Sequence, residues 1–383
     1  MLTSGINFLN FKKKIKDKKI KKDLIDLINK NSPIIQSLSK NYKDKFNKRF
    51  LNKIKKNKNY RLLGMGGSTL GSQAIYQFFE NTVKNNFEFI DNLQSKKNFN
   101  KKKYTNLIIS KSGNTIETIV NANILIKKKD ANFFITENKK NYLHLLAKQL
   151  KADVIEHNNF IGGRYSVLSE VGMLPAELMG LKSKNFRQFN SLIKSKKFTN
   201  NLINNVASTI YFIKKRKFNS VIINYDERSE NLFKWYQQLI SESLGKNNKG
   251  LLPIVSTMPK DNHSVMQLYL DGFKNNFYTF FIVREKSSEK IDNKNILKSH
   301  NFLKNKKISD IVYAQKKATE TVFKKKNLPF RSFEIRERNE KTLGELFCFF
   351  ILETILLGRS LNVDPFDQPA VELIKTETKK NLV

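Results

Sequence analysis

The chain has 383 residues, 39% of them hydrophobic with 30 phenylalanines, enough for two domains of ordinary size rather than one small core. Its single cysteine, Cys348, excludes an intramolecular disulfide framework and any multi-cysteine metal site. The formal charge of +37 comes with scattered basic runs at 12–22, 52–58, 96–103, 213–217 and 324–326 that lack aromatic interleaving, so it reads as a lysine-rich surface and not as a nucleic-acid or membrane partner surface.

In chain order, residues 1 to about 55 are expected to form an N-terminal segment of amphipathic helices. Phe8, Leu9, Ile15, Leu24, Ile25 and Ile28 are its candidate core contacts. The opening "MLTSGINFLNFKKKIKDKK" puts its apolar residues before its charges, the reverse of a secretory signal, and a cytoplasmic protein is expected. Strand patterns follow at 61–64, 87–91, 106–110, 132–136 and 153–156, with helical stretches such as 70–80, 115–127 and 140–150 between them. A second series runs through 220–225, 251–256, 277–283 and 332–337. The alternation predicts an α/β fold with mainly parallel sheets, in a first unit over 56–200 and a second over 201–383. Cys348 lies in the apolar run "LFCFFILETILL", where a buried thiol acting as a small hydrophobe is expected. Glu345 before that run and Glu353 within it leave no room for a membrane span.

Two loops carry candidate chemistry. "LLGMGGSTLGSQA" follows the first strand of the first unit and precedes a helix. A dinucleotide fingerprint needs G-x-G-x-x-G; Gly64 and Gly66 fit, but the third position is Thr69, and Asp91 stands far off for a ribose ligand. Gly67 and Ser68 instead offer backbone N–H groups and a hydroxyl at a helix start, which suits a phosphate monoester. A plain glycine-rich turn is the alternative. "IISKSGNTIET" then places Ser110, Lys111, Ser112 and Thr115 after another strand and before a helix. Hydroxyls, an ammonium and helix N-terminal amides suit a dianion, although such residues can merely cap a helix. The two loops together favour a sugar-phosphate site.

"GMGGSTLGSQA", "ISKSGNTIET", "GGRYSVLSEVG", "SESLGKNNKG" with "DNHS", and "DPFDQPAVELIK" occur in the order found in glucose-6-phosphate isomerases, and the chain resembles the short bacterial form of that family from about residue 60 to 380. The resemblance implies two sugar-isomerase (SIS) domains, each a three-layer αβα unit, and interconversion of glucose 6-phosphate and fructose 6-phosphate through an enediolate. It implies no cofactor and no metal. Broader use of mannose 6-phosphate, or a non-catalytic phosphosugar sensor, are the neighbouring possibilities.

The resemblance also assigns roles. Glu242 matches the base that carries a proton between C2 and C1, and Arg164, after Gly162 and Gly163, matches the cation beside the enediolate. His263, 21 positions after Glu242, matches the ring-opening histidine and is implied to reach the site of a neighbouring subunit, which makes a homodimer the expected partner state. Lys375 matches a C-terminal lysine at the sugar hydroxyls, with Gln368 before its helix. Gly67, Ser68, Ser110, Lys111, Ser112, Thr115, Glu117 and Gly163 are the expected phosphate and substrate contacts. Thr69 and Asn114 depart from the family's usual residues, and the chain is shorter than most members.

Overall fold

The computed structural model describes residues 1–383 except 14, 16, 56, 94–102 and 286, so most of the basic run at 96–103 lies outside the described residues. The first sheet consists of β2 (Asn59–Leu63), β3 (Asn86–Ile90), β4 (Thr105–Ile109), β5 (Ala131–Thr136) and β6 (Asp153–Glu156). Its order is β3-β2-β4-β5-β6 and every pairing is parallel. Adjacent residues face opposite sides. Leu62, Leu107 and Ile109 pack with Val171 and Leu174, whereas Leu63, Ile108 and Phe134 pack with Ala122 and Leu143. Burial on both faces is why these strands read as continuous apolar runs.

The second sheet has the order β1-β10-β9-β7-β8. Here β7 (Asn219–Asn224), β8 (Leu252–Thr257), β9 (Asn276–Val283) and β10 (Phe330–Ile335) run parallel. The edge strand β1 (Ile6–Leu9) pairs antiparallel with β10. The purely helical reading of the N-terminal segment is therefore corrected at residues 6–9. Ile6 and Phe8 are buried while Leu9 points out, the alternation of a strand with one covered face. Helix Lys18–Lys30 follows, and it buries Leu24 but leaves Ile25 exposed. Leu9 and Ile25 are thus not core residues; Ile15 and Ile28 pack in part.

Helix Glu340–Leu361 runs through the interior with Thr342 to Gly358 buried, Cys348 among them. Among the described residues no helix is long and apolar enough to cross a membrane. Glu353 within it pairs with the buried Arg331 and accepts from Asn205 Nδ2 at 2.5 Å, which offsets the cost of an interior carboxylate.

Strand order reverses between β2 and β4, so their carboxyl ends leave the crevice where open α/β sheets bind ligands. Helix Leu70–Phe78, which follows β2, packs against helix Glu230–Leu244, which follows β7, and this contact brings the crevice toward the second sheet. The matching place in the second sheet, at the ends of β7 and β9, is occupied by side-chain ion pairs. Arg338 contacts Asp226 at 2.7 Å and Glu285 at 2.6 Å, and it donates to the Phe78 carbonyl at 3.1 Å.

Candidate active site

The turn after β2 enters a short 3-10 segment, Gly66–Ser68, and passes against the turn Gly163–Leu168. The approach admits no side chain at Gly67, where a Cβ would lie 2.1 Å from the Gly163 carbonyl carbon and 2.6 Å from Arg164 N. At Gly163 the constraint is absent, since a Cβ there would meet only Gly67 Cα at 3.7 Å. The Ser166 hydroxyl sits where the two turns meet, donating to the Gly163 carbonyl at 2.7 Å with the Gly67 carbonyl 3.4 Å away.

The second loop, residues 110–115, rests on the segment after β5. The hydroxyls of Ser110 and Thr115 are 2.9 Å apart, and Ser112 Oγ accepts from Asn114 N–H at 3.2 Å. Gly113 takes φ +67°, in the left-handed region, and a Cβ there would sit 2.0 Å from Asn141 Oδ1. Asn114, which departs from the family's usual residue, accepts from Tyr142 N–H at 3.0 Å and so anchors the loop. Glu117, half-buried, stands in the first turn of the following helix. Lys111 is partly buried. That burial lowers its pKa, Lys139 and Arg164 push the same way, and Glu137 opposes them. Asp91 is held by Gln73, whose Nε2 donates to it at 2.7 Å.

Arg164 joins the turns to the second half of the chain. Its side chain is 1% exposed, and all five N–H groups have acceptors. Nε donates to Ser243 Oγ at 2.8 Å, and Nη2 donates to the carbonyls of Pro365 at 2.8 Å and Asp367 at 2.9 Å. Nη1 meets Glu242 Oε2 at 3.3 Å and Gln368 Oε1. Tyr165 Oη donates to the Pro365 carbonyl at 2.9 Å, and burial raises its pKa to about 12, so it remains a donor at neutral pH. Lys246 binds the Asp364 carbonyl and the Asp367 carboxylate, which fixes the 364–368 strap from its other side.

Residues not singled out from the sequence belong to this group. Ser243 accepts from Arg164, and Trp235 Nε1 donates to the Arg164 carbonyl at 3.2 Å. Gln238 donates to Glu242 Oε1 at 3.0 Å, and its own Oε1 is buried with no partner among the described residues. The i,i+4 spacing of Gln238 and Glu242 on a helix is the signal that could have found it.

The structure thus assembles Arg164, Glu242, Gln368, Gly67 and Gly163. It does not bring His263 or Lys375 to them. His263 is exposed on the turn Lys260–His263, and Lys375 pairs with Glu372 at 2.6 Å on a helix that has no buried residue. Among the described residues no group of three or more His, Cys, Asp or Glu is placed to hold a metal ion.

Two mainly parallel sheets, two hydroxyl-bearing loops at one switch point and an arginine–carboxylate pair define an α/β protein with a polar ligand site. The chain matches the phosphoglucose isomerase family over residues 22–382 and belongs to it. It is 34% identical over 334 residues to the glucose-6-phosphate isomerase of Methanocaldococcus jannaschii, covering 82% of each chain. It is 31% identical over 349 residues to that of Campylobacter jejuni, covering 85% of each. The fold is similar to a hypothetical protein from Thermus thermophilus, with TM-score 0.83 and 22% identity over 96% of this chain and 94% of that one. It is also similar to a glucose-6-phosphate isomerase from Chlamydia trachomatis, with TM-score 0.76 and 15% identity over 99% and 89%.

Proposed function

We propose that this isomerase interconverts glucose 6-phosphate and fructose 6-phosphate, a step of glycolysis and gluconeogenesis, with Glu242 as the proton carrier and Arg164 as the enediolate partner. The observation that carries the assignment is the contact of Arg164 Nη1 with Glu242 Oε2 at 3.3 Å. Nε and Nη2 are committed to Ser243 and to the strap carbonyls, so only the Nη1 edge is free to exchange protein acceptors for substrate oxygens. Glu242 is 28% exposed at its side chain and can reach a ligand.

In this reading the phosphate sits on the Gly67–Ser68 turn and on Ser110, Lys111, Ser112 and Thr115, while Glu117, Gly163 and Gln368 contact the rest of the substrate. Once the ring is open, Glu242 takes the C2 proton of the aldose and returns it to C1. Negative charge develops on the substrate oxygen, where the fixed guanidinium stabilises it without reorganising. A carboxylate shuttle and a cation suffice, so neither metal nor redox cofactor enters the scheme. His263 opens the ring from a second subunit of a homodimer, and Lys375, two turns along the helix that Gln368 precedes, contacts the sugar hydroxyls once it leaves Glu372 and that helix turns toward the site. Nucleic acid and membrane have no part in this reading, and the cytoplasm is its place.

The test is proton NMR of the protein with fructose 6-phosphate in deuterated water. Glucose 6-phosphate carrying deuterium at C2 is the expected product. Binding of fructose 6-phosphate without any product would overturn the reading in favour of a sensor.

A further inference from the structure

Glu137 follows β5 and takes no part in the chemistry above, yet its side chain is only 7% exposed. It grips the 110–115 loop in two ways. Its backbone N–H donates to the Lys111 carbonyl at 3.1 Å, and its carboxylate Oε1 lies 3.7 Å from Lys111 Nζ. The Thr136 hydroxyl donates to the same carbonyl at 3.3 Å, and Leu143 N–H donates to the Gly113 carbonyl at 3.1 Å. The second carboxylate oxygen contacts Lys139, whose side chain is 58% exposed. A buried carboxylate is costly unless cations face it, and here one of the two cations belongs to the phosphate loop.

We propose that Glu137 is the positioning residue of the phosphate pocket, its carboxylate holding the Lys111 ammonium at the loop that receives the sugar phosphate. The inference rests on reading that loop as the phosphate site. Geometry fixes the aim of the ammonium, and electrostatics fixes its charge. The groups facing Lys111 are Glu137 and Lys139 from the segment after β5 and Arg164 from the turn at 163–168. His157, after β6, also stands in the electrostatic reach of Lys111 and Glu137. Burial pushes its pKa down to about 4, so it is neutral wherever Lys111 titrates. Burial lowers the Lys111 pKa, Lys139 and Arg164 lower it further, and Glu137 raises it. Without that carboxylate the ammonium loses its proton at a lower pH, and the pocket loses a cation for the dianion.

The experiment is calorimetric titration with fructose 6-phosphate from pH 7 to pH 9.5 on wild type, Glu137→Gln, Lys139→Ala and Lys111→Ala. Glu137→Gln keeps the backbone bond to Lys111 and removes only the charge. Its Kd is expected to rise about 3- to 10-fold at pH 7, and the gap to wild type is expected to widen as pH rises. Lys139→Ala, at an exposed position, frees Glu137 for Lys111 and moves the loss of affinity to higher pH. A Glu137→Gln curve that superimposes on wild type, or lies at a constant offset, would overturn the proposal in favour of a structural role. If that variant does not fold, Lys139→Ala decides alone, and an unmoved profile overturns the proposal. Lys111→Ala separates the two readings, because wild-type affinity there refutes the phosphate assignment itself.

Discussion

Arg164 Nη1 lies 3.3 Å from Glu242 Oε2, yet the guanidinium side chain is 1% exposed and the carboxylate 28%. One partner is locked and the other is accessible, the arrangement expected of a fixed electrostatic group beside a group that must move a proton. Glu242→Gln keeps the shape and removes the basicity. Its kcat is expected to fall by about 10²–10⁴ while the Kd for fructose 6-phosphate changes by no more than about threefold. Steady-state kinetics beside calorimetry checks this, and undiminished kcat would remove Glu242 from the role of base.

Arg164→Lys tests whether a charge alone serves the site. An ammonium has three donors, against the five that meet acceptors on Ser243, Glu242, Gln368 and the strap carbonyls. The kcat/KM is expected to fall by about 10²–10³. Stability should fall by about 1–3 kcal/mol, because the partly buried Asp367 carbonyl loses its donor and the buried Pro365 carbonyl is left with Tyr165 Oη alone of its two. A urea titration run beside the kinetics reads both. Wild-type values in both would mean that the fork is not needed.

The crossing of Gly67 and Gly163 is asymmetric, and the two alanine variants should differ accordingly. A Cβ at position 67 would sit 2.1 Å from backbone, whereas one at 163 would meet its nearest atom at 3.7 Å. Gly67→Ala should cost most of the activity and visible stability, because backbone must part at the proposed phosphate turn. Gly163→Ala should retain kcat within about threefold, as a substitution without a clash. Equal effects at the two positions would refute the packing argument.

The parallel strands and the two ligand loops are legible in the sequence because strands buried on both faces are unbroken apolar runs and each loop lies directly after one. β9, with all eight residues buried, announces itself. β1 does not, since four residues of alternating burial preceding a lysine run also fit the edge of an amphipathic helix. Only its long-range pairing with β10, more than three hundred residues away, decides the matter. The acceptors of Arg164 are hidden for the same reason. Ser243 lies next to Glu242, which the sequence singles out, but the carbonyls of Pro365 and Asp367 carry no side-chain signature. Asn114, a departure by family comparison, proves to be an anchor through Tyr142 N–H.

His157 makes acid stability a prediction with a definite sign. It is 1% exposed, and burial lowers its pKa to about 4 from an ordinary value of 6.5. The unfolded chain therefore takes up the proton first, and stability falls as pH drops through 6.5 towards 4. The loss reaches about 3 kcal/mol at the lower end. His157→Asn should remove that part of the slope, so the difference between wild-type and variant urea midpoints should change between pH 7 and pH 4.5. Parallel curves over that range would show that the imidazole is not held neutral by the fold.

The separation of His263 from the Arg164–Glu242 pair bears on assembly. His263 is exposed on the turn after β8, while Glu242 lies against the buried Arg164. If a second chain supplies the histidine, Glu242→Gln and His263→Ala are each deficient alone but complementary together. In a two-fold dimer formed from one chain of each kind, one site inherits both lesions and the other inherits neither. Equal amounts of the two chains, unfolded and refolded together, should form mixed dimers in about half of the population and recover about a quarter of wild-type activity. Differently tagged chains let the mixed dimer be purified and its turnover measured directly. A purified mixed dimer with one active site per pair establishes the shared site. A mixed dimer no more active than its parents places His263 and Glu242 in the same chain's site, and the turn after β8 would then have to move toward the crevice for turnover.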